Sequence, residues 1–231
     1  MVLKISEQFY SIQGEGKTMG VPALFVRLQA CNILCKGDWI CDTIEVWKTG
    51  NTIEVNEWLV GLNKHINSFR AGAHLIFTGG EPLLQQKAIA LAIRAFKAVY
   101  GFKPYVEIET NGTIMPSEEL IEVVDLFNCS FKLSNSGVKY ERRIKIDVLK
   151  KLNSCNSIFK IVVYPIDDYN EAELIFNEVG IDKKDIWLMP PADCFSDLSR
   201  RSQQVAAICK EKAVNFSSRL QLVLWNKTTG V

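Results

Sequence analysis

The 231-residue sequence predicts an α/β fold built on a parallel sheet: a modified, compact, partial (β/α)6-type barrel forming a single domain over residues 1–231. Three observations carry that reading. Short apolar, β-branched runs recur along the chain, segments with helical periodicity separate them, and the most distinctive polar clusters fall just after the runs. Ligands bind at that carboxyl end of parallel strands.

The runs occupy residues 23–28, 74–77, 105–108, 129–133, 158–163 and 186–189. Each reads as a buried strand. After the first, Val55, Trp58, Leu59, Leu62 and Ile66 form one helical stripe. After the second, Leu84, Ala88, Leu91, Ala92, Ala95, Phe96 and Val99 recur at helical intervals and line one face. Ser117 caps a third helix, with Glu118 and Glu119 at its positive end. Further helices fall near residues 146–152, 171–179 and 198–213. Strands alternating with helices imply right-handed crossovers and parallel pairing. A last apolar run, residues 220–225, precedes a polar end, and there is no repeat, low-complexity tract or interdomain linker.

With 27 basic and 26 acidic side chains the charge nearly cancels. No field draws in a nucleic acid or an anionic membrane surface, so a small-molecule partner is favoured. A hydrophobic content of 48% buries a sizeable core. Residues 1–8 carry Lys4 and Glu7 and lack a long apolar stretch, and no run approaches the ~20 residues of a membrane span. These features predict a cytoplasmic chain. Seven cysteines, an odd number, fit reduced thiols and metal ligation better than a disulfide framework.

Cys31, Cys35 and Cys41 share one loop directly after the first strand. Three thiols with no fourth nearby suggest an iron-sulfur cluster with one iron left open to a ligand, because structural zinc takes four protein ligands and electron-carrying clusters normally take four cysteines. Trp39 and Ile40 would shield such a cluster from water. The scattered Cys129, Cys155, Cys194 and Cys209 leave a fourth ligand open, and a zinc site completed by His65, His74 or Cys129 is the alternative. In the turn from Thr78 to Pro82, Gly79 and Gly80 allow close approach of backbone to a ligand, with amides and carbonyls exposed to grip a zwitterionic group. The same turn also reads as an ordinary strand-to-helix junction with Pro82 in the first turn.

The cysteine triplet, TGGEP at 78–82 and the βα units together resemble the radical S-adenosylmethionine (SAM) superfamily. More narrowly, FYSIQGEG at 9–16, LFVR at 24–27, ACN at 30–32, CDT at 41–43, ETNGT at 109–113 and the ending at Gly230 and Val231 are similar to the 7-carboxy-7-deazaguanine synthase family. QGEG together with CDT is far more specific than TGGEP, which the whole superfamily shares.

The resemblance implies a carbon-nitrogen lyase of queuosine and 7-deazaguanine biosynthesis. Such an enzyme converts 6-carboxy-5,6,7,8-tetrahydropterin to 7-carboxy-7-deazaguanine with loss of ammonia, using a [4Fe-4S] cluster, SAM and Mg2+. It implies cluster ligation by Cys31, Cys35 and Cys41. The substrate falls to Ile12, Gln13, Gly14, Glu15, Arg27, Thr78 and Gln221, and Mg2+ to Thr43. SAM falls to Ile40, Asp42, Gly80, Glu81, Glu109, Ser130, Phe131, Lys132, Met189, Pro190, Pro191 and Ala192. No side chain is assigned as acid or base. The family also implies a flavodoxin- or ferredoxin-type electron donor and a homodimer. Chemically, Glu15 accepts from the pterin's amidine-like edge, Gln13 donates and accepts, and Arg27 clamps a carboxylate, with a surface salt bridge as the plainer role for Arg27.

Two departures stand out. The third cysteine follows the second after five residues rather than two, which predicts that Lys36, Gly37 and Asp38 bulge into solvent. Gln221 stands where the family commonly has a histidine ahead of the last strand's apolar residues. Glutamine donates and accepts like neutral imidazole but carries no charge near neutrality. Competing readings are another radical SAM reaction, such as activation of a glycyl-radical enzyme, and a non-enzymatic zinc- or cluster-carrying protein. QGEG and CDT oppose the first.

Overall fold

The structure, a computed structural model, describes residues 1–39, 41, 44–226 and 228. The chain begins with strands β1 (Val2–Ile12), β2 (Pro22–Leu28) and β3 (Asn51–Glu54), followed by helices α1 (Val55–Gly61) and α2 (Ile66–Arg70). Then come β4 (His74–Gly79), α3 (Gln86–Tyr100), β5 (Tyr105–Thr110), α4 (Glu118–Ile121), β6 (Leu126–Cys129), α5 (Tyr140–Arg143) and α6 (Ile146–Asn153). The last part contains β7 (Ser157–Val162), α7 (Ile166–Val179), β8 (Ile186–Met189), α8 (Phe195–Lys212), β9 (Asn215–Phe216) and α9 (Leu220–Trp225). All strands join one open sheet in the order β3-β1-β2-β4-β5-β6-β7-β8-β9. From β2 onward the pairing is parallel, and β1 runs antiparallel to both β2 and β3. The six predicted parallel strands form the expected partial barrel, extended by β1 and β3 at one edge and by β9 at the other. No described helix is long and apolar enough to cross a membrane.

Alternation along each strand separates two environments. Val26, Leu28, Leu75, Phe77, Val106, Ile108, Phe127, Phe159, Ile161 and Leu188 face the helices and form one continuous core with them. The opposite face begins apolar, with Ala23, Phe25 and Ile76 packed against Phe9. Further along it carries buried Thr78, Glu107, Asn128 and Lys160. A sheet covered on both sides reads as uninterrupted apolar runs, so polar residues inside those runs mark the concave face where chemistry is held.

Several expectations need correction. The fourth strand is Leu126–Cys129, not residues 129–133: Asn128 interrupts its apolar pattern, and Phe131 and Leu133 are buried from the loop beyond it. The stripe predicted for α3 is rotated. Ala88, Ile89, Ala92, Ile93 and Phe96 are buried, whereas Leu84, Leu91 and Val99 are exposed, because Leu84 belongs to a 3-10 turn ahead of the helix. The run at 220–225 is a helix rather than a strand, burying Leu222 against Ala192 and Leu198. β1 was not foreseen, since Lys4, Glu7 and Gln8 dilute its alternation. It is held by buried Leu3 and Ile5 and by Phe9 stacked on Phe25 at 5.2 Å.

Candidate active site

The cysteine loop leaves β2 through Ala30, whose φ of 69° is left-handed. The turn after β4 lies directly against it: the Gly80 amide donates to the Leu28 carbonyl at 3.2 Å and the Glu81 amide to the Ala30 carbonyl at 2.8 Å. A methyl on Gly80 would run into that Ala30 carbonyl, so only glycine permits the approach. The Gly80 amide, expected with that of Gly79 to be exposed for a ligand, is therefore committed to the protein, as is the amide of Glu81. The Glu81 carboxylate is fully buried. It accepts from the Leu83 amide at 3.0 Å, the Thr110 hydroxyl at 2.8 Å and the Asn111 amide at 2.7 Å. Burial raises its pKa, opposed by those bonds. Its position joins the turn after β4 to the ETNGT loop after β5 and turns both oxygens inward.

Cys31, Cys35 and Cys41 gather in one patch with Ile33, Trp39 and Val138. Burial pushes the Cys35 thiol up to about 11 against the pull of Lys132, with Cys41 and Cys31 adding to the rise. Asn111 Nδ2 lies 3.9 Å from Cys31 Sγ and donates to Asn32 Oδ1 at 3.0 Å. Asn32 donates in turn to Thr113 Oγ1 at 2.7 Å, and that hydroxyl donates back to Asn111 Oδ1 at 2.6 Å. The ACN and ETNGT motifs thus interlock. Asn32, Asn111 and Thr113 received no role from the sequence, although both motifs were in view.

Among the described residues no three His, Cys, Asp or Glu groups converge tightly enough for a single metal ion. Three thiols spread around an apolar floor, with the Lys132 ammonium opposing the rise that burial imposes on Cys31 and Cys35, suit the larger face of an iron-sulfur cube. The residues suggested for a closed zinc site lie elsewhere. Cys129 sits in the core on the helix side, where burial pushes its thiol up to about 12. His65 stacks on Tyr10 at 5.3 Å. His74 opens β4 at the amino end of the sheet, its Nδ1 2.6 Å from Glu107. Cys155 and Cys209 donate to the Lys151 and Asn215 carbonyls, and Cys194 precedes α8. Ile40, Asp42 and Thr43 lie outside the described residues, as do Gly230 and Val231.

Beside the thiols, the concave face carries an ionic network. Lys160 Nζ, almost fully buried on β7, lies 2.6 Å from Glu15 Oε2 and 3.6 Å from Glu109 Oε1. Glu15 Oε1 accepts from Arg219 Nε at 3.1 Å and Gln221 Nε2 at 2.8 Å. Glu109 accepts from Thr78 Oγ1 at 2.8 Å and Gln13 Nε2 at 3.3 Å. Burial works against a charge on Glu15, yet the Lys160 ammonium and Arg219 guanidinium outweigh it and hold the carboxyl well below the usual range. Burial likewise opposes the Lys160 charge, and Glu109 and Glu15 overcome it and raise its pKa. Four of the predicted substrate residues, Gln13, Glu15, Thr78 and Gln221, meet in this network, with Glu109 among them. Gly14 gives Gln221 its room, since a methyl there would overlap the Gln221 side chain. Gln221 Oε1 is buried without a hydrogen-bond partner. Arg27 projects from β2 on the same face and pairs with Glu7 at 2.6 Å. Lys160 and Arg219 were not foreseen; a lysine in an apolar run was the available signal for the first.

The remaining predicted residues sit around the rim. Ile12 ends β1. Ser130 donates its amide to the Thr110 carbonyl at 2.8 Å and accepts from Lys132 Nζ at 3.1 Å. The Phe131 ring turns away into the core, edge-on to Phe176 at 5.7 Å, so only its backbone faces the rim. At the end of β8, the Met189 carbonyl accepts from the Val163 amide at 3.0 Å. Pro190 and Ala192 are buried, Pro191 accepts from Arg201 at 2.9 Å, and the Ala192 carbonyl accepts from Arg219.

A family described as "4Fe-4S single cluster domain" matches residues 12–143. That match spans more than half of the chain and makes this a radical SAM enzyme of the single-cluster iron-sulfur class. The 7-carboxy-7-deazaguanine synthase of Halobacterium salinarum is 32% identical over 97% of this chain and 91% of its own length. That of Pyrobaculum aerophilum is 31% identical over 99% and 97%. QueE from Escherichia coli has the same fold, with a TM-score of 0.71 at 22% identity over 95% of each chain. The chain belongs to the 7-carboxy-7-deazaguanine synthase family.

Proposed function

We propose that this enzyme converts 6-carboxy-5,6,7,8-tetrahydropterin to 7-carboxy-7-deazaguanine with loss of ammonia, using a [4Fe-4S] cluster, SAM and Mg2+. Cys31, Cys35 and Cys41 would hold the cluster, and the chemistry it would supply is the electron for reductive cleavage of SAM. Thr43 offers an oxygen donor to Mg2+, a hard cation that keeps several waters. The electron donor of flavodoxin or ferredoxin type, and a homodimeric assembly, follow from the family.

The observation that carries the reading is the polar concave face beside the thiols. A carboxylate has about four acceptor positions, and protein donors fill three on Glu15. One is left for the pterin's amidine-like edge. Gln221 Oε1, buried and unpartnered, supplies a second acceptor for a ring N–H, and burial makes filling it favourable. Arg27 reaches the substrate carboxylate by sharing its guanidinium with Glu7. The displaced pKa values hold Glu15 and Lys160 in their charged forms through the neutral range, so these groups bind and orient rather than move protons. That suits a reaction that demands positioning of one hydrogen with water excluded.

The test is anaerobic reconstitution. Iron and sulfide are counted, reductant and SAM are added, and 5'-deoxyadenosine is measured with and without the carboxy-tetrahydropterin. Cleavage coupled to the pterin, with ammonia released, is expected. Cleavage indifferent to the pterin refutes the substrate, and a colourless zinc protein refutes the cluster.

A further inference from the structure

The enlarged stretch between Cys35 and Cys41 was expected to bulge freely. The side chains of Lys36 and Asp38 are indeed exposed, as is Gly37, but the backbone is tied down. The Lys36 amide donates to the Ser136 carbonyl at 3.1 Å and the Asp38 amide to the Asn135 carbonyl at 2.8 Å. The Trp39 indole N–H donates to Asn135 Oδ1 at 3.1 Å. Gly37 lies backbone to backbone against Gly137: a methyl on Gly37 would run into the Asn135 carbonyl, and one on Gly137 would come within 2.9 Å of Gly37 Cα. Two glycines facing each other allow that contact, and Gly137 also needs its φ of 71°.

The turn that receives the loop is itself braced from behind. Ser136 donates its hydroxyl to the Leu133 carbonyl at 2.7 Å, and Ser134 donates its amide and hydroxyl to Glu171 of α7. Arg143, buried, holds Glu171 at 2.7 Å and donates to the Val138 and Lys132 carbonyls at 3.1 and 2.9 Å. Val138 then packs in the thiol patch with Cys35. A continuous set of bonds therefore runs from α7 through Arg143 and the 134–137 turn to the segment between two cluster cysteines.

We propose that the 134–137 turn is a docking wall that sets the cysteine loop before the cluster arrives, with Gly37, Asn135 and Gly137 as positioning residues and the Arg143–Glu171 pair as their brace. Ordering backbone costs conformational entropy for every residue held. A loop ordered on folding spends none of the cluster's binding free energy on that step, so the cluster is retained longer. The proposal rests on the cluster reading above, and its first readout is made without a cluster.

Hydrogen exchange at the Lys36 and Asp38 amides is measured in metal-free protein for the wild type, Gly37→Ala and Asn135→Ala. Reconstituted samples are then assayed for iron loss to a ferrous chelator and for the electron paramagnetic resonance spectrum of the reduced cluster. The wild type is expected to protect both amides without metal. Gly37→Ala should speed their exchange about tenfold, the effect of losing a hydrogen bond of ordinary net strength, lose iron several-fold faster and alter the spectrum, while its global unfolding midpoint stays put. Asn135→Ala removes the indole's acceptor and the side-chain bond to Asp168 but keeps the carbonyl that receives the Asp38 amide, so it should shift the Trp39 emission and leave the two amides protected. Wild-type amides that gain protection only after reconstitution would overturn the proposal, as would a Gly37→Ala protein with unchanged exchange and iron retention. A wild type that binds no iron refutes the cluster reading instead, with the exchange data still deciding whether the wall exists.

Discussion

Replacing Lys160 by methionine removes a buried ammonium while keeping most of its volume. Lys160 stands 2.6 Å from Glu15 and 3.6 Å from Glu109, and its loss leaves Glu15 with Arg219 and Gln221 and Glu109 with neutral donors. Deleting one partner of a buried pair costs about 3–5 kcal/mol. Because Glu15 keeps a guanidinium, the lower end, ~3 kcal/mol, is expected, equivalent to a fall in Tm of roughly 6–12 °C for a chain of this size. The pH dependence has a definite sign. Glu15 is held below its ordinary 4.5, so its contribution is present above that value and is lost as pH falls through the folded-state pKa. Lys160 is raised above its ordinary 10.5, so its contribution is present below that value and is lost as pH rises through the folded-state pKa. Between the two, wild-type stability from this pair is flat. In Lys160→Met the Glu15 carboxyl titrates higher, and the acid limb moves toward neutrality. Urea unfolding followed by circular dichroism across a pH series measures both effects. A loss below about 0.5 kcal/mol, within the range of ordinary surface changes, together with an unmoved acid limb would refute the reasoning.

Two further substitutions probe the loops. Gly80→Ala forces a methyl into the Ala30 carbonyl, where neither partner is a flexible side chain. It should cost about 3 kcal/mol, at the upper end for overpacking, and slow cluster loading; denaturant unfolding within about 0.5 kcal/mol of wild type would show that the two loops part easily. Cys41→Ala should fold with a near wild-type midpoint but fail to assemble the cluster, seen as lost iron and visible absorption, whereas retained iron would place the third thiolate elsewhere.

How much was legible before folding depended on the distance over which each feature is encoded. Five of the six parallel strands were readable because burial on both faces leaves an apolar run, as at Leu75, Ile76 and Phe77, while Asn128 hid the fourth. The α3 stripe was misphased because Leu84 and Leu91 fit the period equally well, and only contact with the sheet selects Ile89 and Ile93. Residues 220–225 were placed with a strand, since five apolar residues around Gln221 satisfy either period until the chain folds back and Leu222 meets Ala192 and Leu198.

The same division runs through the site. The cysteine triplet, the glycines at 79 and 80, and the QGEG and ETNGT segments lie within a few residues of one another in each case, and their chemistry was written locally: thiol spacing, backbone freedom, donor and acceptor type. The partners of Glu15 stand 145, 204 and 206 positions away along the chain. Which of many charged residues would join it was decided by strand order and register, because a buried carboxylate needs a counter-charge within a few ångströms and only the assembled sheet sets which side chains come that near.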